Sequence, residues 1–255
     1  MVRTVDVERH FVHDIGIATR APNKAQLVAT ATRAPITLEE AWETCRDLYE
    51  GLASQSAATA NAIHEELLFC LLGGFGVSYE LNRSAAEAIA ELDPFCVALD
   101  DATLRCVLES RLSKPRFEPR RSDGSLRRYR FPARKAKLIV DARRWLRSHV
   151  SLSESLEAMQ CERDRRAFLC TCPGVGPKTA SWLLRNVGLA TELAILDVHL
   201  LRALTNSGRI RSAVRLPRDY EEVEQAFLGW CDELNADPAA FDLFVWEWQR
   251  GSFAA

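Results

Sequence analysis

The sequence predicts a mainly α-helical protein, and three observations carry that prediction. Apolar residues recur three and four positions apart along most of the chain, the spacing that gathers them on one helix face. No long alternating run, the mark of a half-buried strand, appears after residue 36. Pro177, Pro217 and Pro238 stand at or just ahead of the starts of helical stripes, where a missing N–H costs nothing.

Taken in order, residues 1–36 offer short alternating segments at Thr4–Val7 and His10–His13, a short β segment at most, punctuated by Pro22 and Pro35. His10 and His13 have no further ligands nearby, so no metal site is expected there. Thr37 with Glu40 forms a capping box that opens a helix carrying Leu38, Ala41, Trp42, Cys45, Leu48, Tyr49 and Leu52 on one face, over about 37–52. Ser54 to Asn61 is small and polar. Ile63, Leu67, Leu68, Leu71 and Leu72 make the next stripe, which stops at a turn from Gly73 to Tyr79 that is too rich in glycine for helix. Ser84 with Glu87 is expected to cap another helix. Leu104, Val107, Leu108 and Leu112 mark one more, and Lys114 to Arg130 reads as a basic loop. Helical spacing resumes at Ala136, Ile139, Val140 and Leu146, then at Leu152, Leu156 and Met159. The C-terminal part repeats the pattern at Val198, Leu201 and Leu204, at Tyr220, Val223, Phe227 and Leu234, and at Phe241, Phe244, Val245 and Trp248.

Composition narrows the function classes. At 47% hydrophobic residues the chain can bury a proper core. No apolar run of about 18 residues is present to span a membrane, and the first residues lack a secretory apolar core. The eight cysteines include no Cys-x-x-Cys pair, and buried free thiols in a reducing cytoplasm are expected. Net charge is −2, which argues for no partner by itself. Between Arg111 and Arg147, however, fourteen Lys or Arg residues face only three acids (Glu118, Asp123, Asp141). That excess suits either a nucleic-acid backbone or a solvated loop.

The chemistry concentrates in residues 169–204. A short apolar helix is expected to end near Cys172, and Pro173-Gly174-Val175-Gly176 makes a tight hairpin whose glycines supply conformations closed to other residues. Pro177 starts a new helix. Bared amides opening onto a helix N-terminus attract a phosphate, and no acidic residue lies between Cys170 and Thr191 to oppose one. Lys178 sits in the first turn, where the helix dipole and partial burial favour the neutral, nucleophilic amine. Asp197 closes the apolar run Leu193–Leu196 ahead of the next helix. Taken alone, Asp197 reads as a helix N-cap and Lys178 as a solvated charge.

Hairpin, amine and downstream carboxylate together resemble the helix-hairpin-helix signature of the base-excision DNA glycosylases. From about Ile63 onward the chain is similar to the compact 8-oxoguanine DNA glycosylase/AP lyases of the second, largely archaeal class. The resemblance rests on Glu66-Leu-Leu-Phe-Cys70, Tyr129-Arg-Phe-Pro-Ala-Arg-Lys-Ala136, Lys178 to Gly188, Leu193-Ala-Ile-Leu-Asp-Val-His199 and Phe241-Asp-Leu-Phe-Val-Trp246. It implies two helical subdomains flanking a cleft: a glycosylase domain over 61–255, with helices of about 84–204 in one subdomain and the flanking helices in the other, preceded by an extension over 1–60. It also implies a monomeric, cytoplasmic DNA-repair enzyme that acts on double-stranded DNA containing a damaged base.

Residue by residue, the resemblance makes Lys178 the nucleophile that forms a Schiff base and Asp197 the stabiliser of the developing sugar cation. Gly174, Val175 and Gly176 would hold a DNA phosphate, with a monovalent cation at the hairpin as the one metal ion. Trp246, Phe75 and the terminal carboxylate of Ala255 would meet the flipped base. No cofactor is implied, and the four-cysteine loop of iron–sulfur relatives is absent. The terminal lysine of the family is replaced by Ala255, and the polar turn after Leu72 by a glycine-rich one, which leaves another modified guanine as an alternative substrate. A non-catalytic DNA-binding protein is the other alternative.

Overall fold

Helices carry most of the described backbone in the computed structural model, which describes residues 37–53, 60–74, 76–211 and 213–249. Among these residues the helices are α1 (Leu38–Ala53), α2 (Ala60–Leu72), α3 (Tyr79–Ala90), α4 (Asp101–Ser113), α5 (Pro132–Arg147), α6 (Leu152–Glu157), α7 (Glu162–Leu169), α8 (Pro177–Asn186), α9 (Val198–Asn206), α10 (Tyr220–Glu233) and α11 (Pro238–Gln249). Their only β pairing is one antiparallel bridge, Phe117 with Arg127. The segments Thr4–Val7 and His10–His13, and the base-binding candidates Phe75 and Ala255, lie outside the described residues.

Two hydrophobic cores organise the chain. The first gathers α2 to α8 around Leu67, Leu72, Leu104, Leu108, Ile139 and Leu183. The second joins α1 to α9, α10 and α11 around Trp42, Phe227, Trp230, Phe241 and Phe244. The chain leaves one core for the other between Leu193 and Ala194. Helix α1, which the sequence groups with the N-terminal extension, is built into the second core. Its capping box forms as predicted, with Thr37 N donating to Glu40 Oε2 at 2.8 Å and Glu40 N to Thr37 Oγ1 at 3.2 Å. The Trp42 ring lies 5.1 Å from Phe241 and 5.4 Å from Phe244. Each fully buried aromatic of this kind contributes about 1.5–3 kcal/mol. Arg46 completes the join by donating to Leu234 O and Asn235 O, carbonyls at the end of α10.

Three expectations need correction. Helix α3 begins at Tyr79 rather than near Ser84: Ser78 is its N-cap and accepts from Leu81 N at 3.3 Å. Ser84 is an interior residue whose Oγ accepts from Glu118 N at 3.1 Å. The sequence misleads because the glycine turn runs straight into the cap. Helix α7 stops at Leu169 and is charged along most of its length, since Cys170 to Cys172 form the turn instead. The thiols are not uniformly buried either; all eight are free, but Cys96, Cys106 and Cys161 are exposed because they lie off the apolar stripes.

Candidate active site

The hairpin between α7 and α8 is closed by Val175 N donating to Cys172 O at 3.0 Å. Gly174 has φ +88, which favours glycine, and a Cβ there would come within 2.9 Å of the end of the Leu138 side chain on α5. Gly176 differs from expectation. Its backbone is ordinary extended chain (φ −101, ψ 177), and a Cβ would meet nothing within 4 Å. What its missing side chain leaves clear is the approach from outside. Among the described residues the amides of Gly174, Gly176, Lys178 and Thr179 donate to no acceptor, while that of Val175 is spent on the turn. Four unspent donors at the start of a helix make a site for an anion.

Lys178, the second residue of α8, is half-buried, and its Nζ lies 5.4 Å from the Trp182 ring centroid. It makes no hydrogen bond or ion pair among the described residues. On the α2 side lies a buried acid. Glu66 is 1% exposed, and its Oε1 accepts from Asn186 of α8 at 2.7 Å and from the Cys70 thiol at 3.3 Å. Burial pushes the Glu66 carboxyl up to about 7, against the pull of those two hydrogen bonds. Burial and Glu66 raise the Cys70 thiol as well, and the Lys178 ammonium opposes them, which ties the amine electrostatically to this pair.

Asp197 is the N-cap of α9, as its residue type alone would suggest. Its Oδ1 takes both cap bonds, from His199 N at 2.8 Å and Leu200 N at 2.9 Å. Its Oδ2 takes no hydrogen bond among the described residues, so one oxygen anchors the side chain and the other is available. The strand of backbone that delivers Asp197 is pinned from the second core. Ala194 N donates to Glu224 Oε1 at 3.0 Å and Ile195 N to Asp242 Oδ2 at 3.0 Å. Those carboxylates are held by arginines of the first core: Arg166 Nη2 meets Glu224 Oε2 at 2.9 Å, and Arg185 Nη1 meets Asp242 Oδ2 at 2.6 Å. Burial raises the Asp242 carboxyl against the pull of Arg185 and the Ile195 amide, and the nearby charge of Asp197 adds to the rise. Because Arg185 and Lys178 share α8, one ion pair ties the amine's helix to the segment presenting the carboxylate.

A line of aromatic rings crosses from one group to the other. From Lys178 it runs through Trp182 to Phe69 (5.3 Å between centroids), Tyr79 (5.9 Å), Trp246 (6.0 Å) and His199 (6.4 Å), two residues past Asp197. Trp246 is half-buried between Tyr79 of the first core and His199 at the edge of the second, rather than inside either core. The floor on the α2 side is fixed by side chains that take its terminal carbonyls. Asn82 Nδ2 donates to Phe69 O at 3.0 Å, Lys135 Nζ to Leu71 O at 2.6 Å and Gly73 O at 2.5 Å, and the Tyr129 hydroxyl to Leu72 O. Gly73 presses on Trp182, and a Cβ there would lie 3.0 Å from the indole.

Residues 46–236 match the family model described as 8-oxoguanine DNA glycosylase. The chain belongs to that family. Among its relatives, the 8-oxoguanine DNA glycosylase/AP lyase of Methanocaldococcus jannaschii is 32% identical over 126 residues, 48% of this chain and 58% of the relative. The same enzyme of Metallosphaera sedula is 32% identical over 129 residues, 49% of this chain and 61% of the relative. These matches thus span less than two thirds of the relatives' length. The fold agrees with solved glycosylase structures: the M. jannaschii enzyme with a 15mer DNA containing 8-oxoguanine has a TM-score of 0.64 at 24% identity, covering 84% of this chain and 96% of that one. The Thermotoga maritima 8-oxoguanine DNA glycosylase gives 0.60 at 25% identity, covering 84% and 94%.

The structure sets Trp246 between Tyr79 of the first core and His199, two residues past Asp197, and places Lys178 beside Trp182 at the start of the helix that follows the hairpin glycines. Sequence reasoning missed Glu66, Lys135, Arg185 and Asp242. Each lies inside or beside a segment that carries the family resemblance, and a charged residue in an otherwise apolar stripe was the available signal for Glu66 and Asp242. Among the described residues no group of three or more His, Cys, Asp or Glu could hold a metal ion, and no helix is long and apolar enough to cross a membrane.

Proposed function

We propose that this chain is a bifunctional 8-oxoguanine DNA glycosylase/AP lyase acting on double-stranded DNA. The target nucleotide is extruded into the seam between the two cores, where Trp246 offers a ring face or edge to the purine. The Lys178 Nζ lone pair attacks C1′ as the C1′–N9 bond breaks, and the bonding pair leaves with the base, which takes up a proton. The free oxygen of Asp197 faces the positive charge that builds on the sugar, an attraction far stronger in a water-poor site than in solvent. The amine then loses a proton, the sugar ring opens to a Schiff base on Lys178, and loss of a C2′ proton expels the 3′ phosphate. The unspent amides at the hairpin would receive a flanking phosphate directly; a monovalent cation there would have to be held by carbonyl oxygens rather than by these N–H groups, and no step depends on it.

The observation that carries this reading is the aromatic line linking an unpaired amine to a carboxylate with one free oxygen, across two cores locked by buried ion pairs. A non-catalytic DNA binder needs neither group. Borohydride trapping tests it. Duplexes bearing 8-oxoguanine should give a covalent protein–DNA adduct, plain guanine should not, and K178Q should reduce the adduct below detection. No adduct with any lesion, or an undiminished one with K178Q, contradicts the proposal. An adduct with a different modified guanine alone would keep the chemistry and move the substrate.

A further inference from the structure

Residues 114–130, read from sequence as a basic loop, form a built arm. Phe117 pairs with Arg127, Arg127 N donating to Phe117 O at 2.9 Å and Phe117 N to Arg127 O at 3.1 Å. The tip closes through Arg121 N to Ser125 O at 2.9 Å, with Gly124 at φ +80 and Asp123 Oδ1 accepting from Ser125 N at 2.8 Å. Phe117 is fully buried against Tyr129, which roots the arm in the first core. Glu118 N is tied to Ser84 of α3.

Part of the charge on this arm is already spent, Arg127 on Pro119 O, Arg130 on Gly76 O and Arg121, behind the Ser125 hydrogen bonds, in lowering the nearby Asp123 carboxyl, and part is not. Glu118 pairs with Arg120, and Asp123 is occupied by Ser125. The side chains of Lys114, Arg116, Arg121 and Arg128 are exposed and make no hydrogen bond or ion pair among the described residues. Elsewhere arginines such as Arg144, Arg209 and Arg218 are matched with Asp101, Glu233 and Asp219, although others, Arg134 among them, have no such match among the described residues. A cluster of exposed cations on a rigid support makes a positive potential that draws an anionic backbone.

The arm also stands beside the candidate active site. At its base Tyr129 donates to Leu72 O and Arg130 Nη1 to Gly76 O at 3.2 Å, on the turn whose Gly73 lies against Trp182. The arm leads directly into α5, which begins at Pro132 and packs Leu138 against Gly174 of the hairpin. Six residues of helix rise about 9 Å, the advance of two or three nucleotides along one DNA strand at about 3.4 Å each. Arg134, exposed and without a partner among the described residues, lies between them.

We propose that residues 114–130 are a second DNA-binding arm, in which Lys114, Arg116, Arg121 and Arg128 hold the phosphodiester backbone of the duplex beside the hairpin's phosphate site. It rests on the reading that the chain binds duplex DNA and adds a grip on the strand that chemistry at Lys178 does not require. The arm supplies charge without base-edge readout, so it strengthens damaged and undamaged duplexes alike.

The test compares wild type with K114Q/R116Q/R121Q/R128Q, whose buried Phe117 and Tyr129 are untouched, by fluorescence anisotropy on an 8-oxoguanine duplex and its undamaged counterpart over a salt series. Each phosphate that the protein no longer neutralises takes about 0.9 off the slope of log K against log salt. The variant's slope should be shallower by about 2 to 4 on both duplexes, with the single-turnover excision rate at saturating DNA within about twofold of wild type. A slope change smaller than about 0.9 overturns the arm. Should the quadruple variant fail to fold, R116Q and R128Q alone should each lower the slope by about 0.9, and no change in either overturns it. Binding is read separately from trapping, so a wild type that binds duplex and forms no adduct removes the proposed activity and leaves the arm standing.

Discussion

Two lysines stand near the starts of helices that both open with a proline, and they have opposite fates. Lys135, on α5 after Pro132, is buried, and its Nζ is committed to Leu71 O and Gly73 O. Lys178, on α8 after Pro177, is half-buried beside Trp182 with no hydrogen bond among the described residues. Burial and neighbouring Arg134 bring the Lys135 amine down to about 8, the direction that favours a nucleophilic amine. Geometry decides against it. An amine whose protons close the end of a helix is a structural cap, and its lone pair cannot be offered without opening that cap. Reactivity requires a group that is held nearby yet left unspent, and of these two lysines Lys178 meets both conditions.

Three substitutions put that contrast at risk. The largest effect is expected at the pair that locks the lysine's helix to the carboxylate's segment. Replacing Arg185 with Met leaves Asp242 buried and unpaired, which should cost about 3–5 kcal/mol in denaturant unfolding, and Lys178 should lose its register with Asp197 so that adduct formation drops further than DNA affinity. A variant of normal stability would show that the two cores are held elsewhere.

Next is Glu66 on the α2 side of Lys178. The folded carboxyl keeps its proton until about pH 7, whereas its unfolded value is near 4.5. Stability from this group is therefore fully present below the unfolded value and is lost as pH rises through about 7. E66Q, which mimics the protonated form, should gain on wild type by up to about 3 kcal/mol between roughly pH 5 and pH 8. Parallel stability curves for the two proteins would contradict the buried, proton-bearing acid.

The smallest effect is at the other lysine. K135M strands two carbonyls at the end of α2, and should cost about 2 kcal/mol while retaining borohydride adduct formation. A stable K135M without an adduct would reverse the roles assigned to the two lysines.

Local chemistry was legible in the sequence, and long-range chemistry was not. The capping box at Thr37, the turn at Gly174 and the cap at Asp197 are each written in a few neighbouring residues, because one or two backbone bonds define them. The ion pairs that bring the cores together join partners 58 and 57 residues apart, Arg166 with Glu224 and Arg185 with Asp242, and no periodicity announces which charges will meet. Gly176 shows a subtler limit: its glycine reads as a conformational need, but its backbone is ordinary and only the open space outside it explains the residue. Lys135 sits in a segment that carries the family resemblance, yet its role as a helix cap depends on Leu71 and Gly73, more than sixty residues away.

Everything in this enzymatic reading turns on Lys178, and not its better-capped neighbour, being the amine that attacks the sugar. Peptide mass mapping of the borohydride-reduced adduct formed on an 8-oxoguanine duplex decides the matter. The DNA remnant is expected on the peptide containing Lys178. A remnant on the Lys135 peptide, or on any other residue, would contradict it.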